Sequence, residues 1–131
     1  MSRVRKAGIA VAATALIGAG AVALPATGTA DTVAKKKPKT YTVKVLDDYY
    51  SPIDVKARVG DKVKWKWDGG NGNPHNVTLQ KGPKGVKKKD FTSATGSVGV
   101  KFNWKFTKAG TYDYLCTIHA TVMTGTVKVK K

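Results

Sequence analysis

The chain is 131 residues long, and 24 lysines and arginines set against 8 acids, all of them aspartate, give it a net charge of +16. A 41% hydrophobic content with three tryptophans is enough for one packed domain, which excludes wholesale disorder and leaves no room for a second ordinary domain. A single cysteine excludes a disulfide framework, a zinc ribbon, an iron–sulfur cluster and a Cys-x-x-Cys redox pair, and the 2 histidines must both serve in any histidine site.

Arg3, Arg5 and Lys6 precede an apolar, alanine-rich run from Ala7 to Leu24, and Gly28-Thr29-Ala30 supplies small residues suited to a cleavage site. The pattern predicts a cleavable signal peptide over residues 1–30, and so a periplasmic, extracellular or cell-surface location for the rest. A permanent anchor is the competing reading, but alanine and glycine leave the run only weakly apolar. Residues 31–40 carry Lys35-Lys36-Lys37-Pro38-Lys39 without apolar periodicity and predict a flexible lysine-rich tail. One domain is expected over residues 41–131.

That domain alternates with period two, the signature of strands with one buried face. Strands are expected at Tyr41 to Leu46, Ile53 to Lys56, Val63 to Trp67, His75 to Leu79, Val98 to Phe106, Thr111 to Cys116 and Val127 to Val129. Between Val63, Trp65 and Trp67 lie Lys64 and Lys66, so one face is apolar and the other charged. Turn residues at Gly60-Asp61, Asp68 to Pro74 and Ala109-Gly110 separate the strands, and the run from Lys81 to Lys89, punctuated by Gly82, Pro83 and Gly85, reads as an exposed loop. About seven or eight short strands predict an all-β, antiparallel sandwich. The two lysine runs are ordinarily solvated; weak binding to an anionic cell surface is the alternative.

Chemistry concentrates in two places. Cys116-Thr117-Ile118-His119 follows a strand, with Met123 just beyond it, and His75 lies upstream in Asn73-Pro74-His75-Asn76. Singly, such residues are usually a small buried hydrophobe, a satisfied histidine and a core methionine. Together, a thiolate, two imidazoles and a thioether form the donor set of a blue-copper site. A nucleophilic cysteine would need a base, an orienting group and an oxyanion site, of which only His119 is evident. Zinc is poorly served by a thioether as fourth ligand.

The segments Tyr50-Ser51-Pro52-Ile53-Asp54-Val55, Val59-Gly60-Asp61-Lys62-Val63, Pro74-His75-Asn76-Val77 and Gly110 through His119, ending in Met123-Thr124-Gly125-Thr126-Val127, resemble the small blue copper proteins of the cupredoxin family. The resemblance runs from about Tyr41 to Lys130, and implies a Greek-key β-sandwich carrying one type 1 copper. It implies His75, Cys116 and His119 as equatorial ligands, Met123 as the axial ligand, and Asn76 and Thr117 as a pair tying the ligand loops together. It also implies an electron port at His119, flanked by Ala120 and Val122. Three residues, Ala120-Thr121-Val122, separate His119 from Met123, a gap longer than in amicyanin-like loops and shorter than in plastocyanin-like ones.

The expected function is therefore that of an exported, monomeric one-electron carrier, cycling Cu(II)/Cu(I) with a redox protein whose docking surface is acidic. It is not expected to be an enzyme or to bind nucleic acid. A copper-handling protein without a dedicated redox partner is the main alternative, and a polyanion-binding β-domain is the other.

Overall fold

A computed structural model describes Gly28 and residues 35–131; apart from Gly28, the expected signal peptide and tail residues 31–34 lie outside the described residues. Every regular element among the described residues is a strand: β1 Thr40–Leu46, β2 Tyr49–Ser51, β3 Asp54–Arg58, β4 Lys62–Trp67, β5 Thr78–Lys81, β6 Lys101–Lys105, β7 Gly110–Leu115 and β8 Thr124–Lys130. They build two four-stranded sheets, ordered β2-β1-β4-β6 and β3-β8-β7-β5, which form the all-β sandwich with the core between them.

The sheets are not purely antiparallel. β1 pairs with β4 in parallel, and so does β3 with β8, while the remaining pairs are antiparallel. The chain makes the β1–β2 hairpin, crosses to the second sheet as β3, and returns as β4 on the free side of β1. Such a crossover is what a parallel pair requires. Side-chain alternation is the same in either pairing, so period two carried no information on direction.

Two strands are shorter than their alternation implies. Gly99 adopts φ +73°, and this left-handed bend keeps Val98 and Val100 out of β6, leaving Val98 exposed. His75 to Val77 do not continue β5; His75 instead exchanges backbone hydrogen bonds with Gly96 (3.0 and 3.1 Å).

Buried positions alternate along β1, β3, β4, β7 and β8 as the sequence requires. Trp65 is the hub, standing edge-on to Phe91 (5.4 Å, 81°) and to Tyr114 (5.3 Å, 87°). Phe91 reaches the core from the loop after β5, where no periodicity marks it. Opposite Tyr114 across the β7–β8 ladder stands Gly125. A Cβ there would overlap the tyrosine Cζ, so the ring occupies the space of the missing side chain.

The consequence for function is positional. The parallel strands β1 and β4 and the strand β7 all end at the same pole, and the segments that leave them are Asp47-Asp48, Asp68 to Val77 and Cys116 to Met123. Every candidate site residue lies in one of these three segments.

Candidate metal centre

The loop from Cys116 to Met123 is held by its own backbone. His119 N–H donates to the Cys116 carbonyl (3.2 Å), and the His119 carbonyl accepts from both Val122 (3.1 Å) and Met123 (2.9 Å). Cys116 N–H then closes the loop on the Met123 carbonyl (3.0 Å), as a continuation of the β7–β8 ladder. The turn that starts at His119 thus absorbs the three residues between His119 and Met123, and both Cys116 and Met123 are fully buried.

His75 is brought to this loop by Asn76, whose side chain works in both directions. Its Oδ1 accepts from Thr117 N–H (3.0 Å) and from the Thr78 hydroxyl (3.2 Å). Its Nδ2 donates to the Thr117 and Thr95 hydroxyls (2.7 and 3.0 Å). The His75 carbonyl accepts from the Trp67 indole (3.2 Å), and the Asn76 carbonyl from the Tyr50 hydroxyl. The segment is therefore fixed by side chains of both sheets before any ligand is considered.

The result is a cluster of three donors. Single nitrogens of His75 and His119 and the sulfur of Cys116 all lie within 4.8 Å of one another. The histidine rings are 5.1 Å apart, and His119 Nδ1 is 3.8 Å from Cys116 Sγ. His75 shows which of its nitrogens is meant for the cluster. Nε2 is 2.8 Å from the Asp47 carboxylate, while Nδ1 is buried and has no hydrogen-bond partner. An orphaned buried nitrogen costs about 1–3 kcal/mol unless something binds it. A copper ion would satisfy it, and sulfur with two imidazoles is a donor set that suits copper.

The comparisons with known proteins point the same way. Residues 39–130 match the model of the family described as copper binding proteins, plastocyanin/azurin family. The chain belongs to this family. It is similar to amicyanin-alpha of Methylorubrum extorquens, 32% identical over 107 residues that cover 82% of this chain and 87% of that protein. Among solved structures it is similar to an oxidised amicyanin variant, with a TM-score of 0.59, 30% identity, and coverage of 69% of this chain and 81% of the other. It is also similar to a purple cupredoxin from Nitrosopumilus maritimus, with a TM-score of 0.57, 26% identity, and coverage of 69% of this chain and 99% of the other.

For a copper protein of this family, the remaining placements are informative. Asn76 and Thr117 are joined by two hydrogen bonds. Met123 is buried and bonded through its backbone to both Cys116 and His119. His119 is the most exposed donor, with 24% of its side chain accessible, and Ile118, Ala120 and Val122 are exposed around it.

Two site residues escaped the sequence reading. Asp47 and Asp48 form the β1–β2 turn, with Asp48 at φ +67°, and they place a carboxylate on the outer nitrogen of each histidine. Asp47 Oδ1 lies 2.8 Å from His75 Nε2, and Asp48 Oδ1 lies 3.3 Å from His119 Nε2. The surroundings of His119 therefore include a carboxylate, although its sequence neighbours Ile118 and Ala120 are uncharged. The Gly72 N–H, the His75 ring and the Asn73 N–H together hold the Asp47 carboxyl at about 2, below its ordinary 3.8. The only acidic dipeptide in a lysine-rich chain was the available signal.

Proposed function

We propose that the chain is an exported one-electron carrier in which His75 Nδ1, Cys116 Sγ and His119 Nδ1 hold a type 1 copper, with Met123 as the weaker fourth ligand. Copper bound there supplies a Cu(II)/Cu(I) couple. The observation that carries the reading is the buried, unpartnered Nδ1 of His75, a residue with a ring nitrogen within 4.8 Å of donor atoms of Cys116 and His119.

The residues around the donors account for the rest. Asn76 and the turn bonds of the Cys116–Met123 loop restrain the donors, so that little has to move when the charge on the metal changes. Asp47 holds the His75 ring from behind and fixes its tautomer, a role carboxylates commonly play for metal-bound histidine. Burial of His75, Cys116 and Met123 closes the metal to a substrate molecule, whereas an electron needs only the His119 ring as a path to the surface. This favours a carrier over an enzyme. The exposed Ile118, Ala120 and Val122 allow close approach of a redox protein, and the basic chain steers a partner with an acidic docking surface at a salt-dependent rate. The leader-like pattern of residues 1–30 supports export.

Addition of Cu(II) to the purified protein tests the proposal. The expected result is an intense thiolate-to-copper absorption and a reversible one-electron wave, both lost in Cys116→Ser. Retention of the colour in Cys116→Ser, or copper binding with no reversible couple, would overturn it.

A further inference from the structure

The outer face of the first sheet carries lysine in a pattern that solubility does not require. Lys44 of β1, Lys66 of β4 and Lys101 of β6 stand opposite one another in register, as do Lys62 and Lys105, and Lys64 lies between the two rows. All six are exposed, and no carboxylate stands on this face of β1, β4 or β6. None of the six pairs with an aspartate among the described residues. Like charges directly opposite on neighbouring strands are destabilising. Lysine is also a common guard of sheet edges, but the edges of this sheet are β2 and β6, while four of the six lysines stand on the interior strands β1 and β4. The outer face of the second sheet is different, since Asp54 and Asp113 stand there among Lys56, Arg58, Lys128 and Lys130.

Strand spacing makes the array about 10 Å wide and about 13 Å long. It is two-dimensional, and at its centre lies a groove of about 400 Å³ lined by Thr42, Lys64, Trp65, Lys66, Lys101 and Asn103. Three ammonium groups, a hydroxyl and an amide line that groove, with no acid, and suit a phosphate group.

We propose that this face docks on an anionic lipid surface. A two-dimensional array of charge on a rigid sheet complements a planar array of phosphate headgroups, whereas a linear polyanion would engage one row at a time. On β1, β4 and β6 this face has no exposed large apolar side chain to insert, and Tyr49 of the edge strand β2 is the one beside the array, so the attachment is mainly electrostatic and reversible. The strands β1 and β4 run along the face toward the pole that carries His75, Cys116 and His119. Docking by the face therefore leaves that pole at the side, free to meet a partner held at the same surface.

The test compares the copper-loaded chain with two triple variants of equal charge. One, Lys64→Gln with Lys66→Gln and Lys101→Gln, strips the face; the other, Lys87→Gln with Lys88→Gln and Lys89→Gln, strips the exposed loop between β5 and β6. Both keep the same N-terminus, so its contribution cancels, and retention of the blue colour reports the fold. Binding is measured by co-sedimentation with vesicles of phosphatidylcholine and phosphatidylglycerol, and with pure phosphatidylcholine. A lysine near an anionic leaflet contributes about fivefold in affinity. The face variant should lose on the order of a hundredfold, and the loop variant much less. Binding of the parent should also collapse as salt rises from about 0.1 M to about 1 M, where the Debye length shrinks from about 10 Å to about 3 Å. Equal losses in the two variants, no loss in the face variant, equal binding to uncharged vesicles, or binding to soluble polyphosphate but not to anionic vesicles would each overturn the proposal.

Discussion

Replacing Asn76 by alanine should loosen the metal pole more than any other single change outside the donors. The substitution deletes four side-chain hydrogen bonds, two to Thr117 and one each to Thr78 and Thr95. A net contribution of about 1 kcal/mol each sets an upper figure of about 4 kcal/mol. Thr117 and Thr95 are exposed and regain water, whereas Thr78 is only 3% exposed and its hydroxyl is stranded. The expected loss is therefore about 2–3 kcal/mol, or roughly 10–20 °C in Tm for a domain of this size. Urea unfolding of the copper-free protein measures it, with a lowered midpoint and an unchanged slope. Asn76→Asp, which keeps the acceptor and loses the donor, should fall between the two. A loss below about 0.5 kcal/mol, or one expressed in the slope, would refute the view that this amide joins the two ligand segments.

Other substitutions probe the core and the turn. Gly125→Ala drives a methyl group into the buried Tyr114 ring and should cost about 3 kcal/mol, the upper end for overpacking; an unchanged unfolding midpoint would show that the ring is free to move. Tyr114→Phe removes a buried hydroxyl without a partner, so at neutral pH its stability should equal or exceed that of the parent. Burial pushes that phenol from 10.0 up to about 12, the Trp65 indole N–H near its oxygen holding it back in part. The folded state thus holds the Tyr114 proton more tightly than the unfolded state, and this contribution is complete below pH about 10 and lost as pH rises toward about 12. Over that window the stability of Tyr114→Phe should fall less steeply, by about 1.4 kcal/mol per pH unit, and equal slopes would contradict it. Asp48→Asn removes a negative charge beside His119, which favours Cu(I), and voltammetry should show a raised potential; a lowered one would contradict the contact.

The strands were legible in the sequence because they are written in a local pattern. Alternation placed Val63, Trp65 and Trp67 correctly inside. The clustering of His75, Cys116 and His119 was legible through scarcity, since the only cysteine and both histidines stood at matching places in a resembling family. What escaped depends on tertiary contact. The parallel pairing of β1 with β4 follows from the path of β3 through the other sheet. Phe91 fills the core from a segment between Gly- and Lys-rich stretches. Asp47 and Asp48 sit in a hairpin turn, where aspartate is ordinary, and only the β4–β5 and β7–β8 connections bring the histidines to them. The lysines were counted correctly, but their rows emerged only with the register of β1, β4 and β6.

A copper site of this kind requires both histidines to present Nδ1 to the ion that Cys116 holds. A crystal structure of the copper-loaded protein, with the ion located by its anomalous scattering, tests this directly. It should show the ion bonded to His75 Nδ1, His119 Nδ1 and Cys116 Sγ, with Asp47 still on His75 Nε2. Copper bonded through His75 Nε2, or found away from Cys116, would contradict it.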